Sequence, residues 1–149
     1  MAGQRRLELR HRHGDGDRRR HDGRKSLAPL LKEPAVATEI SDIKDWHAHV
    51  YFDANSKDAA LKLRGIIVAR FVAEMGRVHS GPIGPHPRCS YQVAFPPAMF
   101  AEFVPWLALN RGDLVVLVHP NTGRDLTDHR DRAIWLGEKV DLELSILRD

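Results

Sequence analysis

Hydrophobic positions along residues 43–149 repeat with two different periods, and the switches between them mark out the elements. Residues 45–53, rich in β-prone and apolar side chains, predict a strand. Ala59, Ala60, Leu63, Ile66, Ile67, Arg70, Phe71 and Met75 recur at helical spacing. They predict a helix over 56–76, with Ser56 as N-cap and Gly76 at its C-terminal end. Residues 77–83 predict a short second strand, interrupted by Gly81-Pro82. Residues 88–95 predict a third, with Tyr91, Val93 and Phe95 on one face and Ser90, Gln92 and Ala94 on the other. A second helix is predicted over 97–110, with Pro97 in its first turn, and a buried fourth strand over 113–118. Pro120-Asn121-Thr122-Gly123 predicts a turn that would project His119 and Asn121 at a rim. Residues 126–136 predict a short helical turn, and the alternation over 142–147 a closing strand.

This order predicts an α+β fold of the ferredoxin-like, split βαβ kind: β-α-β-β-α-β plus a C-terminal strand, an antiparallel sheet with helices on one face. In that plan the first strand is central and antiparallel to the third and fourth. The end of the fourth strand, with His119, then lies beside the start of the first, with His47 and His49. A sheet carrying helices on one face leaves the other to be covered. That predicts a homodimer, or a closing strand that crosses to a partner.

Charge separates the chain into two parts. Residues 1–40 carry ten Lys/Arg against six Asp/Glu, a net of +4, while residues 41–149 carry thirteen against fourteen, a net of −1. Residues 1–25 contain two leucines and no aromatic residue, too little apolar surface to offset the entropy of ordering. Residues 1–42 therefore read as a disordered basic extension and linker, and 43–149 as one domain. His11, His13 and His21 fall in the extension and read as a solvated tail. The core's charge gives no electrostatic case for a nucleic-acid partner. No apolar stretch approaches the roughly 18 residues that suggest a membrane span. The single cysteine, Cys89, excludes an intrachain disulfide and a thiolate cluster, fits a cytoplasmic setting, and reads as a packing residue.

The remaining chemistry is in histidines. Six of the nine lie between His47 and His129. His47 and His49 are two apart in a strand and so share a face. With His119 from the neighbouring strand, they could bind one divalent ion facially and leave coordination positions open. Surface histidines bonded to backbone would satisfy the same pattern. His86, in Gly84-Pro85-His86-Pro87, sits in a loop stiffened by prolines, suited to proton transfer or substrate contact. His129 is an acid/base or a ligand, with Asp125 and Asp128 as carboxylates that could orient an imidazole. His79 reads as loop surface. Arg88 and Arg111 could each take a substrate carboxylate bidentately.

Five motifs resemble the DOPA 4,5-dioxygenase family: Trp46-His47-Ala48-His49-Val50-Tyr51-Phe52, Gly84-Pro85-His86-Pro87, Ser90-Tyr91-Gln92-Val93, Leu117-Val118-His119-Pro120-Asn121-Thr122-Gly123, and Asp128-His129 through Ala133-Ile134-Trp135-Leu136-Gly137. The likeness covers about residues 43–147, in order and in register. It implies a ferredoxin-like subunit, commonly a dimer, and extradiol cleavage of a catechol such as DOPA by O2 at a non-haem Fe(II). On that reading His47, His49 and His119 hold the metal and His86 and His129 handle protons. Arg88 and Asn121 contact substrate, and Asp125 could complete an otherwise all-histidine set. Arg124 departs from the smaller polar residue expected there. The competing readings are a metal-dependent isomerase or hydrolase, and a non-catalytic dimeric α+β barrel protein. The second of these would leave the His47/His49 pair unexplained.

Overall fold

The computed structural model describes residues 37–149. The extension over 1–36 lies outside the described residues; the rest of the expected linker forms one 3-10 turn, Ile40–Asp42. The chain then runs β1 (Asp45–Phe52), α1 (Lys57–Arg70), β2 (Glu74–Met75), β3 (Cys89–Phe95), α2 (Phe100–Asn110), β4 (Val115–Asn121), α3 (Asp125–Arg130) and β5 (Ile134–Leu136). The strands form one antiparallel sheet in the order β2-β3-β1-β4-β5. This is the α+β, ferredoxin-like plan, with β1 between β3 and β4 and an extra edge strand beyond β4.

Period-2 patterning divides each strand between two environments. Ala48, Val50 and Phe52 of β1, Tyr91, Val93 and Phe95 of β3, and Val116 and Val118 of β4 face the helices. They pack with Ala60, Leu63 and Ile67 of α1 and Phe103 and Leu107 of α2 in one apolar core. Each large side chain fully removed from water here contributes about 1.5–3 kcal/mol. The tyrosine in this layer is satisfied as well, since the Tyr91 hydroxyl donates to the Ala60 carbonyl at 2.7 Å.

The other face carries Asp45, His47, His49 and Tyr51 of β1 beside Leu117, His119 and Asn121 of β4. It is not bare. Leu117 is fully buried, and His49, Tyr51 and His119 are 5%, 2% and 2% exposed. The loop carrying His86, helix α3 and the C-terminal segment lie over it. The Glu143 N–H donates to the Pro85 carbonyl at 2.9 Å, and the Thr127 N–H to the Asp149 carboxylate at 2.9 Å. The expectation of a homodimer rested on an uncovered sheet face, and the chain covers that face with its own segments.

Four element boundaries differ from the sequence reading. Helix α1 stops at Arg70, six residues short of Gly76. Phe71, Ala73 and Met75 satisfy a helical period but also alternate with Val72 and Glu74, and tertiary pairing selects the strand. Met75 pairs with Val93, and Val72 is left 92% exposed. Gly76 serves a close approach rather than a helix cap: a Cβ there would meet Gln92 Cβ and O at 3.3 Å. The second strand accordingly lies at Glu74–Met75, not over 77–83, where two isolated bridges form, His79 to Ser90 and Ile83 to His86. Strand β4 continues through Pro120 and Asn121, which the sequence assigned to a turn. Proline is tolerated because β5 pairs no further along β4 than Val118. Finally, the fifth strand is Ile134–Leu136, inside the stretch read as helical, while residues 142–147 hold a 3-10 turn, Leu144–Ile146. Ser56 occupies the N-cap of α1, but its side chain does not cap the helix; it bonds to Asp53 instead. No described helix is long and apolar enough to cross a membrane.

Candidate metal centre

Strand register brings the histidines together. His47 is directly opposite His119 across the β1–β4 ladder, and His49 lies two residues along β1 on the same face. His49 Nε2 and His119 Nε2 are 3.0 Å apart. Two nitrogens bound at right angles to one ion, each about 2.1 Å from it, would be about 3.0 Å apart. The ring of His47 lies 5.2 Å from that of His119, centroid to centroid. One ring nitrogen from each of His47, His49 and His119 falls within 4.8 Å of the other two.

His86 and His129 reach the same place from outside the sheet. The His86 ring is 4.1 Å from His49, and the His129 ring 4.0 Å from His119. His49, His86 and His129 form a second group of nitrogens within 4.8 Å, so His49 belongs to both. His86 is placed by a tight turn: Ile83 and His86 exchange backbone hydrogen bonds at 3.0 and 2.9 Å around Gly84, whose φ is 51°. His129 is placed by α3.

Two imidazoles have an oriented second nitrogen. His119 Nδ1–H donates to the Pro120 carbonyl at 2.9 Å, and His129 Nδ1–H to the Asp125 carbonyl at 2.7 Å. A carbonyl can only accept, so each keeps a lone pair on Nε2. This is the arrangement found behind metal-ligating histidines. Burial, reinforced by the surrounding imidazoles, holds His49 well below the ordinary histidine range. It brings His86 down to about 4, with help from His129 and His79, and His119 down to about 3, with help from His129. These three rings are therefore neutral at pH 7 with lone pairs to offer, as a divalent transition ion requires. The donor set fits such an ion.

The carboxylates do other work. Among the described residues no Asp or Glu belongs to either nitrogen group. Asp125 holds His129 through its backbone carbonyl, so it does not complete the set with its side chain. Asp128, 1% exposed, accepts from the Thr122 N–H at 2.8 Å, the Thr122 hydroxyl at 3.0 Å and Arg132 at 2.9 Å. It clamps the turn after β4 rather than orienting an imidazole. The carboxylate nearest His47 is that of Asp45, which lies 3.3 Å from His47 Nε2 and accepts from the Asn121 amide at 2.8 Å.

The proposed substrate contacts separate. Asn121 sits on the histidine face at the end of β4. Arg88 lines an open cleft of about 770 Å³ whose wall includes Tyr51, and it pairs with Glu138 at 2.8 Å. Arg111 donates to the Leu114 carbonyl at 3.0 Å and braces the turn before β4. Arg124 is exposed and pairs with Asp149 at 3.3 Å. Cys89 packs against the core, as expected.

Two functional positions escaped the sequence reading. The Tyr51 hydroxyl lies 2.6 Å from His86 Nδ1, and burial pushes its pKa up, so it stays protonated. Its signal was the alternation Asp45-x-His47-x-His49-x-Tyr51, which places all four on one face. Trp135 stacks on Tyr51 at 6.1 Å and lines a cavity of about 140 Å³ with His129, Val140 and Leu142. It was hidden by the helical reading of its segment.

Residues 46–146 match the model of the DOPA 4,5-dioxygenase family, with every one of the five clustered histidines inside the match. The chain belongs to that family. It is 41% identical over 116 residues to a DOPA 4,5-dioxygenase of Amanita muscaria, across 72% of this chain and 51% of that protein. It is 40% identical over 112 residues to an uncharacterised 21.2 kDa protein of Botryotinia fuckeliana, across 67% of this chain and 61% of that one. The chain thus spans about half to three-fifths of the length of these relatives. A crystal structure of a candidate dioxygenase from Nostoc punctiforme is similar with a TM-score of 0.72 and 46% identity, over 74% of this chain and 96% of that one.

Proposed function

We propose that this member of the family is an extradiol ring-cleaving dioxygenase acting on a catechol such as DOPA, with a non-haem Fe(II) held by His47, His49 and His119. The observation that carries the reading is the convergence of three imidazoles from two adjacent strands, flanked by two more from outside the sheet. Three ligands on one side leave positions open for small molecules. Fe(II) bound there would supply sites for the catechol oxygens and for O2, and the redox chemistry between them.

The protein's own part is orientation and proton handling. The cavity of about 140 Å³ beside His129 is close to the roughly 150 Å³ that accommodates one benzene ring. Trp135, Val140 and Leu142 would hold the ring by its faces, with its hydroxyls toward the histidines. His86 and His129 flank the diol, and one of them is the acid/base that takes its proton and returns it. Asn121 stands at the rim as a substrate contact. Arg88 would take a carboxylate on the catechol side chain after leaving Glu138, so it bears on substrate choice more than on chemistry.

The test is anaerobic loading of the full chain with Fe(II), then oxygen with DOPA and a panel of smaller catechols. The expected result is a yellow semialdehyde and one O2 consumed per ring. Quinone as the sole product, or no oxygen uptake with any catechol, would overturn the reading.

A further inference from the structure

The Tyr51 hydroxyl is 2% exposed by residue and has His86 Nδ1, at 2.6 Å, as its hydrogen-bond partner among the described residues. Two arrangements are open to such a pair. In one, His86 Nδ1–H donates to the tyrosine oxygen; the hydroxyl proton is then buried without an acceptor, which is costly. In the other, the hydroxyl donates to Nδ1 and every polar atom of the contact is satisfied. The second arrangement puts the imidazole proton on Nε2. His129 is set in the opposite sense, because the Asp125 carbonyl takes its Nδ1–H and leaves a lone pair on Nε2.

We propose that Tyr51 is a positioning residue that fixes His86 in the Nε2–H tautomer, so that the two imidazoles flanking the proposed ligands have opposite roles: His86 donates a hydrogen bond and His129 accepts a proton. This polarity separates the two nitrogen groups that share His49. Nδ1 of His86 is occupied by Tyr51 and Nε2 carries a hydrogen, so His86 has no lone pair for a metal. In the group of His47, His49 and His119, the Pro120 carbonyl takes the Nδ1–H of His119 and leaves its Nε2 with a lone pair. In the reaction, one catechol hydroxyl loses its proton to His129 Nε2, leaving a catecholate oxygen and an imidazolium. His86 Nε2–H bonds to an oxygen on which negative charge gathers, without transferring its own proton. His129 returns its proton as the ring opens. No other proton moves through these residues.

The catalytic meaning of this polarity rests on the dioxygenase reading, whereas the tautomers can be read without turnover. The experiment is long-range 15N–1H correlation NMR on the full chain labelled at histidine nitrogen, metal-free and with Zn(II) added as a diamagnetic ion. The expected result is a proton on Nε2 of His86 and on Nδ1 of His129 and His119. In Tyr51→Phe, which keeps the ring, His86 should show both tautomers in exchange. His119, held by a backbone carbonyl, should be unchanged and so report an intact fold. With Fe(II), the same variant should lose roughly 10–100-fold in kcat with metal stoichiometry retained. A proton on Nδ1 of His86 in the wild type, or a His86 tautomer indifferent to Tyr51→Phe, overturns the proposal. If the tautomers are as stated but no catechol is cleaved, Tyr51 keeps its assignment and the dioxygenase reading is what fails.

Discussion

Acidification should unfold the metal-free chain over a pH range in which most proteins of this size are stable. His49, His86 and His119 are buried as neutral rings, the last two with pKa values brought down to about 4 and about 3. In the unfolded chain each returns to the ordinary histidine value of about 6.5. Below that pH the unfolded chain binds protons that the folded chain refuses, so stability falls as pH falls. Each such histidine removes about 1.4 kcal/mol per pH unit once its unfolded form is protonated. Three acting together between pH 6 and pH 5 remove about 4 kcal/mol, much of the 5–15 kcal/mol that holds a typical domain. The loss should begin near pH 6.5, above the range in which most carboxylates titrate, and continue down to the folded-state values of about 4 and about 3. Urea unfolding of the full chain in chelator, at half-unit steps from pH 7.5 to 5, measures it directly. His119→Gln, neutral at every pH, should flatten the slope by about a third. A midpoint that stays constant or rises as pH drops from 6.5 to 5 would refute the burial of these rings as neutral groups.

Other perturbations follow from single contacts. Asp128→Ala leaves Arg132 and Thr122 without their buried acceptor and should cost about 3–5 kcal/mol in urea unfolding; an effect below 1 kcal/mol would contradict the clamp. Gly76→Ala places a Cβ 3.3 Å from Gln92 at the edge of the sheet and should destabilise by about 1–2 kcal/mol, whereas a helix-capping role would leave β2 and β3 undisturbed. Leu142→Trp fills the cavity beside His129 and should raise KM for a catechol at least tenfold while iron binding is unchanged; wild-type kinetics would show that the ring binds elsewhere.

The sheet was legible because its central strands obey a period of 2 and pair with their nearest candidates. That logic puts His119 beside His47 and His49, and the register sets it directly opposite His47. It failed where two periods coincide, as at Phe71, Ala73 and Met75, and where an edge strand of three residues, Ile134–Leu136, is too short to show a period at all. The five histidines were legible by type and by strand face. Their roles were not, because a tautomer depends on what the second nitrogen touches. The acceptors for His119 and His129 are backbone carbonyls, which carry no residue signature, and the partner of His86 is a tyrosine 35 positions away. Asp125 and Asp128 looked like orienting carboxylates from proximity in sequence, but Asp125 meets His129 through its backbone carbonyl and the Asp128 carboxylate is bonded to Thr122 and Arg132.

The central claim is that His47, His49 and His119 form the metal site, with His86 and His129 beside it. Its most direct test is the stoichiometry of Fe(II) bound anaerobically by five single alanine variants of the full chain. Loss of the ion in His47→Ala, His49→Ala and His119→Ala, with about one ion per chain retained in His86→Ala and His129→Ala, is the expected result. Retention in the first three, or loss in His86→Ala and His129→Ala with His47→Ala still loaded, would move the metal to the other group and contradict the account.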